Sequence, residues 1–97
     1  MRPCPPVVGN ARVVCYTAID SRHHRTGNAT HVVTGQEAEP AHGLAIRQYD
    51  GDDAFYLFAC DAEWNSQTDT WHQSLEDAKE QAEFEYQRTS QTWVSSQ

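Results

Sequence analysis

Basic and imidazole side chains meet most densely in Arg22-His23-His24-Arg25-Thr26-Gly27-Asn28, where two of the seven basic residues and two of the five histidines share one Gly-containing segment. Arginine forks, imidazolium rings and loop N–H groups are the donors that suit phosphate, and Gly27 and Asn28 tolerate the left-handed conformations that build an anion-holding nest. Arg22, His23, His24, Arg25, Gly27 and Asn28 are therefore the anion-binding candidates. A solvated connection between strands would have much the same composition, so both readings stay open.

A second constellation lies further on. Asp69, His72 and Glu76 are close enough in sequence for a carboxylate to orient an imidazole, as a general base requires, which makes His72 and Asp69 the candidate catalytic pair. No nucleophile accompanies them, since Ser74 is better placed as a helix cap, and a turn-stabilising hydrogen bond between His72 and Asp69 is the competing reading. His23, His24, His31, His42 and His72 lack the short repeated spacings of a zinc site. Cys4, Cys15 and Cys60 are odd in number, far apart and without a Cys-x-x-Cys pair, so neither a disulfide framework nor a zinc knuckle is indicated. Cys15 and Cys60 read as small buried hydrophobes on strands, Cys4 as a mobile thiol. The sequence calls for no metal and no cofactor.

The chain that must position these groups has 97 residues, enough for one core and too few for paired nucleotide and substrate domains. Its net charge of −7 and pI near 5.0 argue against a protein that coats nucleic acid or lies on a membrane surface, and a basic protein partner is easier to accommodate. The start, Met1-Arg2-Pro3-Cys4-Pro5-Pro6, is too broken by proline for a signal peptide, and no stretch reaches membrane-spanning length, so the expected location is cytoplasmic.

Prolines make residues 1–11 a flexible arm in this reading, followed by one domain over 12–88 and a tail over 89–97. Arg12 to Asp20 alternates Val13, Cys15, Thr17 and Ile19 against Val14, Tyr16 and Ala18, a strand apolar on both faces. From Ser21 to His42 the chain is polar, interrupted by a short strand candidate at His31–Thr34 that ends at Gly35. Leu44–Tyr49 and Ala54–Cys60 form a hairpin around Asp50-Gly51-Asp52-Asp53, and a reversal at Trp64-Asn65-Ser66 returns Gln67–Trp71 as a further strand. Ser74 with Asp77 three residues on caps a helix whose inner stripe is Leu75, Ala78, Ala82 and Tyr86. Its outer face carries Glu76, Asp77, Glu80, Glu83 and Glu85 and reads as solvated. The predicted fold is α+β: a three- to four-stranded antiparallel meander with one C-terminal amphipathic helix packed on one face.

The run Phe55-Tyr56-Leu57-Phe58-Ala59-Cys60-Asp61-Ala62-Glu63-Trp64-Asn65, continued by Thr68-Asp69-Thr70-Trp71-His72-Gln73-Ser74-Leu75-Glu76-Asp77-Ala78-Lys79, resembles a family of small uncharacterised bacterial proteins. That resemblance implies the same strand–strand–helix layout and transfers no site. Strands followed by a helix that opens with Ser and acidic residues is also similar in outline to the HicB-type antitoxins, which bind a small toxic ribonuclease. The Pro-Gly element before that family's helix is missing here, so its toxin-binding role is not carried over.

A sheet apolar on both faces needs two covers, and the chain supplies one helix. Tyr16 and Tyr49, with either Phe55 and Leu57 or Tyr56 and Phe58, make the second surface, covered by the Ser21–His42 loop or by a partner. Phe84 lies opposite Leu75 on the helical wheel and is expected under the tail, against Trp93 and Val94, with a second subunit as the alternative. Tyr16, Tyr49, Phe84 and Trp93 are thus the interface candidates. The functional expectation is a non-enzymatic protein-binding module, with a homodimer and an antitoxin-like or immunity-like inhibitor as its specific forms, an unknown protein or itself as partner, and nucleic acid and membrane disfavoured. Anion or nucleic-acid contact through the 22–28 loop is the alternative.

Overall fold

Gly and Asp punctuation between runs of Val, Ile, Tyr and Thr divides the chain into strands as expected. The computed structural model describes residues 3–8, 10–27, 32–33, 36–37 and 40–95. Along it run β1 (Val7–Val8), β2 (Ala11–Ala18), β3 (Val32–Val33), β4 (Gln36–Glu37), β5 (Gly43–Tyr49), β6 (Phe55–Cys60), β7 (Ser66–His72), α1 (Leu75–Glu85), a 3-10 turn (Thr89–Gln91) and β8 (Val94–Ser95). Six strands form one antiparallel sheet in the order β1-β2-β5-β6-β7, with β8 also on β2. The α+β class and the β5–β6–β7 meander match expectation.

Three or four strands is an undercount, because β1 and β8 are two residues each, too short to show a period. Both lie on the outer edge of β2: Val7 pairs with Arg12, and Val94 with Tyr16. The proline-rich arm and the tail therefore each contribute a strand. Nor is the helix the C-terminal element. It closes at Tyr86, whose backbone is extended, and Arg88 at φ 70° turns the chain into the 3-10 segment and β8. The strand candidate within 31–34 is realised as β3, which pairs with β4 outside the main sheet, while His31, Thr34 and Gly35 lie outside the described residues.

Local chemistry explains the two best-defined junctions. In the β5–β6 turn Gly51 takes φ 76°, the Asp52 N–H donates to the Tyr49 carbonyl, and the Asp52 carboxylate accepts from the Ala54 N–H at 2.8 Å. At the start of α1, Ser74 is extended and its Oγ accepts from the Asp77 N–H at 3.0 Å, which satisfies one of the helix's orphan donors.

The helix lays Ala78 and Ala82 against Cys15, Leu44, Ile46 and Leu57, and the small alanine side chains let its axis approach the sheet closely. The opposite face holds Val13, Ala45, Phe58, Cys60 and Trp64, with Cys4, Tyr16 and Tyr56 against them. Of the two sets open in the sequence, Tyr56 and Phe58 belong to the second face, and Phe55 packs with Leu57 on the helix side. Among the described residues, Trp64 from the β6–β7 turn and Cys4 from the arm lie against that face. A bulge makes this possible: Val13 pairs with Arg47 and Cys15 with Ile46, so Val14 is the extra residue and Val13 joins the face of Tyr16.

The outer helix face differs from a plain solvated surface. Asp77 bonds His72, Glu83 accepts the Arg88 and Ser90 N–H groups, and Glu85 is buried with the Gln81 amide donating to it. Glu76 and Glu80 remain exposed. Phe84 is not under the tail: it is 49% exposed, and Trp93 packs instead against the helix-side core. No helix among the described residues is long and apolar enough to cross a membrane.

Candidate functional site

Where β2 ends and β5 begins, their pairing continues one step: the Ile19 N–H donates to the His42 carbonyl at 2.9 Å. This brings Pro40, Ala41 and His42 beside the Ile19–Arg25 segment. Tyr86, at the helix end, closes the third side, its hydroxyl accepting from the Ala41 N–H at 2.7 Å. Backbone links from Thr26 to Glu85 and from Gln87 to His24 hold the loop against the helix terminus. The result is a cleft of about 660 Å3 lined by Ile19, Asp20, His23, His24, Arg25, Pro40, Ala41, His42 and Tyr86.

The loop residues do not act as one nest. Arg22 is turned outward and clasped by Asp20, with Nε and Nη2 donating to the two carboxylate oxygens at 3.0 and 2.9 Å. That pairing, with the Arg22 N–H also donating, lowers the Asp20 carboxyl to about 2. His23 is buried and committed inward: its Nδ1 accepts from the Asp20 N–H at 3.1 Å, which fixes the proton on Nε2, the donor to Thr92 Oγ1 at 2.9 Å. Thr92 Oγ1 in turn lies 2.6 Å from Thr17 Oγ1, joining loop, tail and β2 in one relay. His24 and His42 are exposed on the cleft and Arg25 is half-buried there. Gly27 does take a left-handed φ of 77°, and Asn28 lies outside the described residues.

Asp20 is exposed, so its clasp is a local marker rather than a stability determinant. Its depressed value means the ion pair is intact above the ordinary carboxyl value of 3.8 and is lost as pH falls towards about 2. Carboxyl NMR titration is expected to find Asp20 well below the ordinary value, and Arg22→Ala to raise it part of the way back, because the residue 22 N–H still donates. An unchanged titration in Arg22→Ala would remove the clasp from the account.

His72 and Asp69 are not a pair. Three residues apart on β7, they point to opposite faces: Thr70 and His72 stand across from Leu57 and Phe55, whereas Asp69 stands across from Phe58. His72 instead donates from Nδ1 to Asp77 at 2.8 Å, with Thr70 Oγ1 at 2.6 Å from Nε2. Both ring nitrogens are used in tying β7 to the helix start. Among the described residues no cluster of three His, Cys, Asp or Glu is placed to hold a metal ion.

The interface candidates separate. Tyr16 stands edge-on to Trp64 with centroids 5.6 Å apart, and Tyr49 edge-on to Tyr56 at 5.2 Å, so both belong to the packing of the second face. Trp93 is in the core fringe, and Phe84 remains exposed, as does Trp71, the other large exposed aromatic of the described residues. His42 and Tyr86 are the cleft residues that the sequence did not group with the loop. The β2–β5 register brings residue 42 beside residue 19, and the end of the helix brings Tyr86. No protein-family model, curated protein or solved structure matches this chain, so its function is argued from the cleft.

Proposed function

We propose that the protein is a non-enzymatic binding module that takes an anionic group, phosphate or carboxylate, in the cleft between the 20–25 segment, His42 and Tyr86. The observation that carries this is the convergence of His24, Arg25 and His42 around a floor of Ile19, Ala41 and Tyr86, on a chain whose net charge is −7. Imidazole and guanidinium donors over an apolar floor suit a ligand with an anionic end and a hydrophobic body. His23 supports the wall from behind and is not a ligand group, because both its nitrogens are already used.

The test is an NMR titration with phenyl phosphate against chloride at matched ionic strength. Shifts are expected at His24, His42 and Tyr86 with phenyl phosphate alone, and His24→Gln together with His42→Gln is expected to weaken binding about tenfold. Equal shifts with chloride, or unchanged affinity in the double variant, would end the proposal.

A second reading, binding to a protein partner or to itself, is supported by the 49% exposure of Phe84 and the 60% exposure of Trp71. Its antitoxin-like or immunity-like form relies on Glu76 and Glu80 facing a basic nuclease. Sedimentation across a concentration series separates the self-associating version, which Phe84→Ser abolishes.

A further inference from the structure

Arg47 presents a problem that the cleft does not address. It stands on β5, on the sheet face away from the helix, and is 2% exposed. Its guanidinium lies 4.4 Å over the Phe58 ring, Nη1 donates to Ser66 Oγ at 2.7 Å, and Nη2 reaches the Trp64 carbonyl at 3.4 Å and Cys60 Sγ at 3.9 Å. Nε has no partner. Among the described residues no carboxylate bonds to this cation, although buried charges are as a rule paired. Burial raises the thiols of both Cys60 and Cys4, and the Arg47 charge opposes that rise at each. Cys60 is buried on β6, and Cys4, half-buried on the proline arm, packs against the cluster that contains Cys60 and Trp64. Cys15 is on the helix side of the sheet, separated from both.

We propose that Cys4 and Cys60 are a redox pair, in which Cys4 captures a low-molecular-weight disulfide and Cys60, with Arg47 beside it, resolves the adduct into an intramolecular Cys4–Cys60 bond. In the first step the Cys4 sulfur attacks one sulfur of the oxidant, the oxidant's S–S bond breaks, and one small thiol leaves with the proton that Cys4 gives up. In the second, Cys60 attacks the Cys4 sulfur, the bond between Cys4 and the small thiol breaks, and the second small thiol leaves with the proton that Cys60 gives up. Two protein thiols are oxidised and one small disulfide is reduced to two thiols. The division of roles follows exposure: Cys4 is the thiol a bulky oxidant can reach, and Cys60 reacts only with what the arm delivers to it.

Arg47 is a positioning and electrostatic group in this scheme. Burial pushes the Cys60 thiol up to about 11, and the guanidinium opposes that rise. Resolution is therefore the slow step, and it accelerates as pH rises. Formation of the bond would fix the arm, including β1, over the buried cation.

The experiment treats the reduced full chain with excess glutathione disulfide, blocks remaining thiols, and reads intact mass and peptide map over time. The expected product has lost two hydrogen masses, carries a Cys4–Cys60 link and has Cys15 free. Cys60→Ser is expected to stop at a stable Cys4–glutathione adduct. Arg47→Met is expected to slow resolution about tenfold, more than it slows capture at the more exposed Cys4, and Arg47→Lys to restore most of the rate. Wild type that stops at the Cys4 adduct, or that links Cys15, overturns the pair. Resolution that is equally fast in a folded Arg47→Met protein overturns the role of Arg47. Should that variant not fold, the wild-type and Cys60→Ser products still decide the pairing.

Discussion

Truncating Trp64 to alanine is expected to lower the unfolding free energy by about 3–5 kcal/mol, and replacing it by glycine to cost about 1 kcal/mol less than the alanine change. The usual order of these two substitutions is thereby inverted. Trp64 has φ 67°, the left-handed region that penalises every residue with a Cβ. The turn enforces that conformation: the Trp64 N–H donates to the Asp61 carbonyl at 3.0 Å, and the Asp61 carboxylate accepts the Glu63 and Asn65 N–H groups at 2.9 Å each. The ring held by this turn is buried, stands edge-on to Tyr16 and closes the second sheet face. Both variants lose the ring, and only glycine recovers the backbone energy. Urea midpoints at unchanged denaturant dependence read the difference. A glycine variant less stable than the alanine one would show that the turn does not strain residue 64.

This turn also marks how far the sequence could be read. Trp64-Asn65-Ser66 was legible as a reversal, as was the Asp50–Asp53 turn, because Asp, Asn and Gly carry a local mechanism that needs no distant partner. The Ser74 cap and the Leu75, Ala78, Ala82, Tyr86 stripe were legible for the same reason. The bulge after Val13 was not, since one inserted residue leaves composition unchanged while it reassigns Val13 to the other face. Glu83 and Glu85 looked like ordinary acidic helix residues, and what separates them from Glu76 and Glu80 is the 3-10 segment and the packing beyond the helix. Arg47, between Ile46 and Gln48, reads as one polar residue of an amphipathic strand, and nothing local says that Trp64 folds over it.

The candidate sites follow the same division. His23 was visible as one of a cluster of basic groups, but its role was decided by Thr92, which arrives from the far end of the chain. His72 was correctly placed at the strand-to-helix junction, and its partner was set by the alternation of β7 rather than by sequence proximity: Asp69 is nearer along the chain and lies on the wrong face. His42 joins the cleft only through the pairing of β5 with β2. Sites assembled across strands are thus the part of this chain that local pattern cannot supply.

His23→Leu is expected to cost about 1–3 kcal/mol, Thr92→Val about 1–2 kcal/mol, and the double variant less than their sum by about 1 kcal/mol. The imidazole accepts from the Asp20 N–H and donates to Thr92, whose hydroxyl lies 2.6 Å from Thr17 Oγ1. Removing either partner alone leaves a buried polar group without its bond, whereas removing both replaces a polar contact by an apolar one. The same relay pins the tail, because Thr92 follows the 3-10 turn and precedes the half-buried Trp93 and β8. Its loss is therefore expected to appear locally as faster hydrogen exchange at the Val94 and Ser95 amides, before any global unfolding. A double-mutant cycle with strictly additive costs, or tail exchange that does not respond to His23→Leu, would mean that the three side chains are neighbours without being coupled. Coupling with intact phenyl phosphate shifts would place His23 as the support of the cleft wall and keep the ligand groups at His24 and His42.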